Sequence, residues 1–244
     1  MPVPSTRRCN MEGRIHSFQS LGTVDGPGVR AVVFMQGCPL RCVFCHNPDT
    51  WDASGGYTAT ADEMAEKILR LRSYFGKNGG VTVSGGEPLL QAEFVAELFH
   101  KCKKEGVHCA LDTSGCVYND KVEQLLELTD MVLLDYKFTT AEEYVSKCGC
   151  SIDGVERFLR RLESLGKRTW IRHVVIPGIT DGKESLERIF ELKKRFSCIE
   201  KIELLPFRKL CIEKYKSMGI DFPLYHIPEA DPDAVAELSQ IANK

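Results

Sequence analysis

The stretch Cys38-Pro39-Leu40-Arg41-Cys42-Val43-Phe44-Cys45 carries three thiols, with three and then two residues between them. Thiols so spaced can converge from a single loop, and thiolates of this kind hold iron–sulfur clusters. A four-iron cluster takes four ligands, so a three-cysteine motif leaves one iron open to a substrate or cofactor. A zinc site completed by a distant Cys or His is the competing reading. No other cysteines form a matching partner motif. Cys148 and Cys150 come nearest, and a Cys-x-Cys pair reads as incidental. A second stretch, Ser84-Gly85-Gly86-Glu87-Pro88, follows an apolar run. Its two glycines let the backbone approach a ligand closely, and Pro88 can open the next helix at its first position. Alone, that stretch is equally a plain strand-to-helix turn.

Both motifs follow short apolar, β-branched runs, which places them at strand ends. Val29–Gln36 is expected to be a strand, and so are Gly80–Val83, Val107–Leu111, Met131–Asp135, Thr169–Val175 and Ile199–Leu205. Between them lie helical patterns at 60–75, Gln91–Glu105, Asp120–Leu128, Ser151–Leu165 and Lys183–Phe196, with a last helix at Asp233–Ala242. Thr60 and Glu63 fit a capping box at the start of the first helix. The alternation makes about six βα units and predicts an α/β fold with a parallel sheet and helices outside it. Periodicity does not choose between a doubly wound sheet and an incomplete barrel. In either, functional residues sit at the C-terminal ends of the strands. The Pro-rich stretch 206–232 reads as an irregular surface loop.

Composition narrows the setting. The 244 residues are 43% hydrophobic and 27% charged, with a net charge of −2. That is ordinary for a globular protein and gives no global bias towards nucleic acid or anionic membrane. No stretch approaches the ~18 consecutive apolar residues of a membrane span. The N-terminus has no apolar h-region behind Arg7 and Arg8, so a cytoplasmic location is expected. Eleven cysteines then make a poor disulfide framework, and clustered ones suggest a metal.

Cys-x3-Cys-x2-Cys after the first strand, with Gly-Gly-Glu-Pro after the second, resembles the radical S-adenosylmethionine superfamily. The resemblance is closer still to pyruvate formate-lyase activating enzymes. It extends through Gly13-Arg14-Ile15-His16-Ser17-Phe18, Gly22-Thr23-Val24-Asp25-Gly26-Pro27-Gly28-Val29-Arg30 and Cys45-His46-Asn47-Pro48-Asp49-Thr50-Trp51. Later stretches are Leu111-Asp112-Thr113-Ser114-Gly115, Leu134-Asp135-Tyr136-Lys137, Trp170-Ile171-Arg172 and Lys201-Ile202-Glu203-Leu204-Leu205-Pro206. This resemblance implies an open (β/α)6 partial TIM barrel, with residues 11–244 as a single radical SAM domain. Residues 1–10 precede the family's usual start and are expected to be disordered or dispensable. Cys38, Cys42 and Cys45 would hold a [4Fe-4S] cluster, and S-adenosylmethionine would chelate the fourth iron. The implied activity is generation of a glycyl radical on pyruvate formate-lyase. An activase of another glycyl radical enzyme is the alternative, and a non-enzymatic iron–sulfur or zinc protein a further one. The chemistry would belong to cluster and cofactor, with no separate catalytic side chain.

The resemblance also implies roles for single residues. Phe44, Cys45 and His46 would meet the adenine, and Gly86 the methionine part of the cofactor. Asp135 and Lys137, with Tyr136 between them, match a pair lying against the cofactor, and their i,i+2 spacing puts both on one face of a strand. Arg172 sits in an apolar strand, where a guanidinium is costly unless it meets an anion. That anion is the cofactor carboxylate or a structural partner. Asp25 would contact the substrate glycine loop, or else form an Asx turn before Gly26-Pro27. Asp112 and Thr113 match a cation-binding turn, or else cap the next helix. Relatives often have a histidine after the last strand. Here Arg208 follows Pro206-Phe207, and its guanidinium could stack on adenine instead. No cysteine lies between Cys45 and Ser84, so no ferredoxin-like insertion is expected, and a flavodoxin or ferredoxin would supply the electron.

Overall fold

The strands carry apolar side chains on both faces. In the computed structural model, which describes residues 10–243, they form one eight-stranded sheet in the order β3-β1-β2-β4-β5-β6-β7-β8. β2 (Arg30–Met35), β4 (Gly80–Gly85), β5 (His108–Thr113), β6 (Met131–Asp135), β7 (Arg168–Val175) and β8 (Ile199–Pro206) run parallel. β1 (Glu12–Gly22) pairs antiparallel with β2, and β3 (Tyr57–Thr60) antiparallel with β1. β3 and β8 are the two edges, so the barrel stays open.

Alternation along each parallel strand sorts side chains between two faces. Leu111, Val132, Leu134 and Ile171 join the main core beneath the helices. Ala110, Met131 and Leu133, with Trp170, form a separate small cluster on the other face. Continuing that second face towards the C-terminal strand ends brings Asp112, Asp135 and Arg172 together, each two residues beyond a member of the cluster. Arg30 is fully buried on β2, where it donates to the Thr82 hydroxyl at 2.6 Å and the Val81 carbonyl at 2.6 Å.

The crossover helices are α1 (Ala61–Leu69), α2 (Ala92–Lys104), α3 (Asp120–Leu128), α4 (Ala141–Cys148), α5 (Ile152–Ser164) and α6 (Lys183–Arg195). α7 (Ile212–Ser217) and α8 (Pro232–Ala242) follow β8. The capping box at Thr60 and Glu63 is present. The helix expected over 60–75 ends at Leu69, and a 3-10 turn at Arg72–Tyr74 follows. Pro88 opens a 3-10 turn, Pro88–Gln91, ahead of α2.

The reading of 206–232 as an irregular surface loop is corrected. Phe207, Cys211, Tyr215 and Phe222 are buried there, with the Tyr215 and Phe222 rings 5.0 Å apart. Periodicity also passed over β1, β3 and α4. β1 is half exposed and bulged, and β3 and α4 are only four and eight residues long. The expectation for residues 1–10 lies outside the described residues except at Asn10, whose side-chain oxygen accepts from the Asp62 amide at 3.3 Å.

Candidate functional site

β2 ends at Met35, and the chain turns through Gly37, at φ +93°, into the cysteine loop. Gln36 pins the far end of that loop by donating its side-chain amide to the carbonyls of Asp49 at 2.9 Å and Asp52 at 2.7 Å. The near side rests on the C-terminus of α4. There the Arg41 amide donates to the Cys148 carbonyl at 3.0 Å, and the Val43 amide to the Lys147 carbonyl at 2.9 Å. Carbonyls at a helix C-terminus lack partners within the helix, and the cysteine loop supplies two. α7 holds the third side, where Lys214 reaches Asn47 at 2.8 Å and Asp49 at 3.0 Å.

The loop borders a cleft of about 360 Å³ at the C-terminal ends of the strands. Cys38, Cys42, Phe44, Cys45 and His46 line one side of it. Gly86, Asp112, Thr113, Asp135, Lys137 and Arg172 line the other, with Asp25 also reaching in. Two expected members are elsewhere. Tyr136 alternates away from Asp135 and Lys137, and its ring packs on Tyr144 at 6.0 Å under the helices. The Arg208 side chain pairs with Glu229 at 3.2 Å, outside the cleft lining. Only its carbonyl takes part, bonding to His46 Nε2 at 2.8 Å across the mouth. Gly86 has a packing reason to be glycine: a Cβ there would come 2.2 Å from the Gly37 carbonyl oxygen.

The cleft is strongly charged for its burial. Arg172 donates to Asp112 Oδ2 at 3.0 Å and lies 3.5 Å from Glu203. Burial works against the Arg172 charge, but Asp112, Asp135 and Glu203 outweigh it and raise its pKa. Lys137 pairs with Asp135 at 3.1 Å and sits 5.7 Å from the Phe44 ring centre. Burial opposes the Lys137 charge as well, and Asp135 with the neighbouring cysteines overrides it. Burial pushes the Asp112 carboxyl up to about 6, against the pull of Arg172. It raises Asp25 too. Asp112 Oδ1 is buried without a hydrogen-bond partner, and Arg172 Nε has only its 3.5 Å ion pair with Glu203. A buried acceptor without a partner, beside an arginine shared between two carboxylates, calls for a ligand or ion to satisfy it.

The donor set fits an iron–sulfur cluster. Cys38, Cys42 and Cys45 are all free thiols. Burial pushes Cys38 up to about 12 and raises Cys45. Cys42 goes the other way, to about 7, because the Cys148 thiol hydrogen-bonds to it and Lys137 adds positive charge against the cost of burial. Among the described residues no three Cys, His, Asp or Glu side chains converge as a single ion would need. Cys38, Cys42 and Cys45 all line the same cleft, as the thiolate ligands of one cluster would.

Several contributors escaped the sequence reading. Cys148 is fully buried at the end of α4, next to Cys42, and its carbonyl accepts from the Arg41 amide of the cysteine loop at 3.0 Å. Glu87 is buried and accepts from the Leu89 amide at 3.1 Å, the Thr113 hydroxyl at 2.6 Å, the Ser114 amide at 3.0 Å and the Ser114 hydroxyl. It ties the turn after β4 to the turn after β5. Glu203 was visible as a charge within an apolar strand, the same signal that marked Arg172. For Cys148, no local signal exists.

The family model described as the radical SAM superfamily matches residues 32–192. The chain is 45% identical over 229 residues to a pyruvate formate-lyase-activating enzyme of Clostridium pasteurianum, covering 93% of this chain and 96% of that one. It is 45% identical over 215 residues to the pyruvate formate-lyase 1-activating enzyme of Escherichia coli strain K12, covering 87% of each. Among solved structures, a domain of a pyruvate-formate lyase-activating enzyme from Bacteroides vulgatus matches with a TM-score of 0.55 at 22% identity, over 67% of this chain and 92% of that one. That likeness bears on the fold alone and agrees with the open barrel. With three cysteines at the end of its first parallel strand and this similarity along nearly its whole length, the chain belongs to the radical SAM superfamily, in the family of the pyruvate formate-lyase-activating enzymes.

Proposed function

We propose that this chain activates pyruvate formate-lyase by generating a glycyl radical on it, with a [4Fe-4S] cluster held by Cys38, Cys42 and Cys45 and with S-adenosylmethionine as cofactor. The observation that carries the reading is that the three thiols line one cleft with an unpaired Asp112 oxygen and the ion-paired Arg172 and Lys137. When bound, cluster and cofactor supply one-electron chemistry: reductive cleavage of the sulfonium to methionine and a 5′-deoxyadenosyl radical that takes a hydrogen atom from a glycine Cα.

The chain's own residues bind, orient and enclose. Arg172, held between Asp112 and Glu203, would turn its positive charge to a carboxylate, and Asp112 its unpaired oxygen to an ammonium group or a monovalent cation. Thr113 is the weaker half of that cation pair, since its hydroxyl is donated to Glu87. Asp135 and Lys137, fixed against each other, complete the polar wall. Phe44, buried against Phe138 at 5.6 Å, and His46, held by the Arg208 carbonyl, form the side suited to a flat adenine. Gly86 leaves backbone exposed to the cleft beside them. Tyr136 and the Arg208 guanidinium have no part in it. Asp25 is the residue for the incoming glycine loop. The electron comes from a flavodoxin or ferredoxin.

The test is anaerobic reconstitution with iron and sulfide, reduction, and addition of S-adenosylmethionine. 5′-Deoxyadenosine should form in the native chain and fall at least a hundredfold in Cys42→Ala. Full cleavage by the variant would refute the ligand assignment. A chain that holds a reduced cluster and forms no 5′-deoxyadenosine would refute the activity.

A further inference from the structure

On β4, Val81 and Val83 join the core beneath the helices, so alternation turns Thr82 and Ser84 to the inner face of the open barrel. Thr82 is fully buried there and does not line the cleft. Its hydroxyl has two fixed partners. Arg30 Nε donates to it at 2.6 Å, and it donates to the Asp25 carbonyl at 2.7 Å. Asp25 does line the cleft. Two residues along the same face of β4, the Ser84 hydroxyl donates to Asp112 Oδ2 at 2.6 Å. One strand thus supports two separate parts of the cleft wall, Asp112 through Ser84 and Asp25 through Thr82.

These bonds cannot reverse their direction. A guanidinium only donates, and a hydroxyl has one proton. Arg30 therefore takes a lone pair of the Thr82 oxygen, and the single Thr82 proton is left for Asp25. Arg30 is itself held in place. It is fully buried, and it donates to the Val81 carbonyl at 2.6 Å and the Pro27 carbonyl at 3.1 Å. The segment before β2 is thus gripped at the carbonyls of Asp25 and Pro27, on either side of Gly26. Gly26 has φ +117°, and a Cβ there would come 3.2 Å from Arg30 Cδ. A buried guanidinium is costly unless its donors find acceptors, and this segment and β4 supply them together.

We infer that Thr82 is a positioning residue for radical transfer: oriented by Arg30, its hydroxyl holds the Asp25 backbone so that the Asp25 carboxyl stands in the cleft where the partner's glycine loop enters. The inference rests on the role proposed above for Asp25. It goes beyond that role by naming the buried pair through which Asp25 is held, and it assigns that pair to the protein substrate and not to the cofactor.

Thr82→Val nearly keeps the side chain's shape and removes the hydroxyl. The anaerobically loaded variant is assayed for 5′-deoxyadenosine without partner, and for glycyl radical formation over a range of pyruvate formate-lyase concentrations. Cofactor cleavage should stay within about twofold, while KM for pyruvate formate-lyase rises about fivefold, the worth of one hydrogen bond. Thr82→Ser keeps the hydroxyl and should restore the native KM. Added to Asp25→Ala, Thr82→Val should cause no further loss of radical transfer, because residues that act through one another are not additive. An unchanged KM, an equal loss of cofactor cleavage, or a further loss in the double variant overturns the inference. If Thr82→Val takes up no cluster, Thr82→Ala, which leaves room for a water, should show the same split. Failure of both to load would make Thr82 a support of the fold and overturn the inference as well. The two readings separate in the Asp25→Ala control. Radical transfer lowered there but untouched in Thr82→Val removes this inference alone, whereas radical transfer untouched in Asp25→Ala removes the role of Asp25 and this inference with it.

Discussion

Cys42 stands apart from Cys38 and Cys45 although the three share one loop. The neighbouring Cys148 thiol and the Lys137 charge lower its pKa, whereas burial dominates the other two. In the reduced, cluster-free chain, Cys42 should become a thiolate, and so be open to iodoacetamide, at lower pH than Cys38 and Cys45. A thiol reacts as its thiolate. With its pKa lowered to about 7, the Cys42 rate should rise as pH climbs through 7 and level off above 8. Cys148→Ala removes the donor and should move that midpoint upwards, read by site-resolved mass spectrometry. An unmoved midpoint would break the link between the two cysteines. Glu87 makes a second residue-scale case. All of its bonding partners seen here are neutral donors, and two are backbone amides that cannot reverse their direction. Glu87→Gln turns one oxygen into a donor facing donors. It should lower stability by about 2 kcal/mol in urea unfolding, and a change below about 0.5 kcal/mol would contradict the tie between the two turns.

At the scale of elements, the open edge of β8 is the exposed risk, because an unpaired strand edge invites pairing with another chain. Asn243, just past α8, stands in for the missing neighbour. Its side chain accepts from the Ile202 amide at 2.9 Å and donates to the Ile202 carbonyl at 2.7 Å. Asn243→Ala should cost about 1–2 kcal/mol for the two bonds and should increase aggregation on heating, with cluster content unchanged. Equal stability and no added aggregation would argue that the edge is protected otherwise. The parallel strands and their crossover helices were legible in the sequence because each carries its own apolar period. Met131–Asp135 and Asp120–Leu128 match the expected limits. What could not be read depends on distant partners. β1 and β3 acquire their strand character by pairing at the sheet edge. The stretch 206–232 is Pro-rich, yet it buries Tyr215 against Trp51 and Phe222 against Phe207 and Tyr215. At the site, motifs marked Cys38, Gly86, Asp135 and Arg172. Local sequence cannot mark Cys148, which enters only because α4 ends against the cysteine loop.

For the whole molecule, the cleft has to serve two reactants, a small cofactor and a segment of another protein. On the proposed function, Asp25 would serve the second. Its carbonyl accepts from the Thr82 hydroxyl at 2.7 Å, which fixes the segment before β2 inside the open barrel, while its carboxyl faces the cleft near Arg172. Asp25→Ala should leave cofactor cleavage in the absence of a partner within about twofold and lower radical transfer to the partner at least tenfold. Equal loss of both would place Asp25 with the cofactor instead. Among the described residues no helix is long and apolar enough to cross a membrane, and the charged mouth of the cleft is open to a protein partner.

The central claim joins a cluster on three cysteines to a radical on another protein, and one spectrum tests both ends. The chain is loaded anaerobically with iron and sulfide, reduced, and mixed with S-adenosylmethionine and pyruvate formate-lyase, and the electron paramagnetic resonance signal is recorded. The account predicts a glycyl radical on the partner, formed together with 5′-deoxyadenosine and absent with Cys42→Ala. A confirmed reduced cluster that yields 5′-deoxyadenosine but no radical on pyruvate formate-lyase would contradict the assigned target.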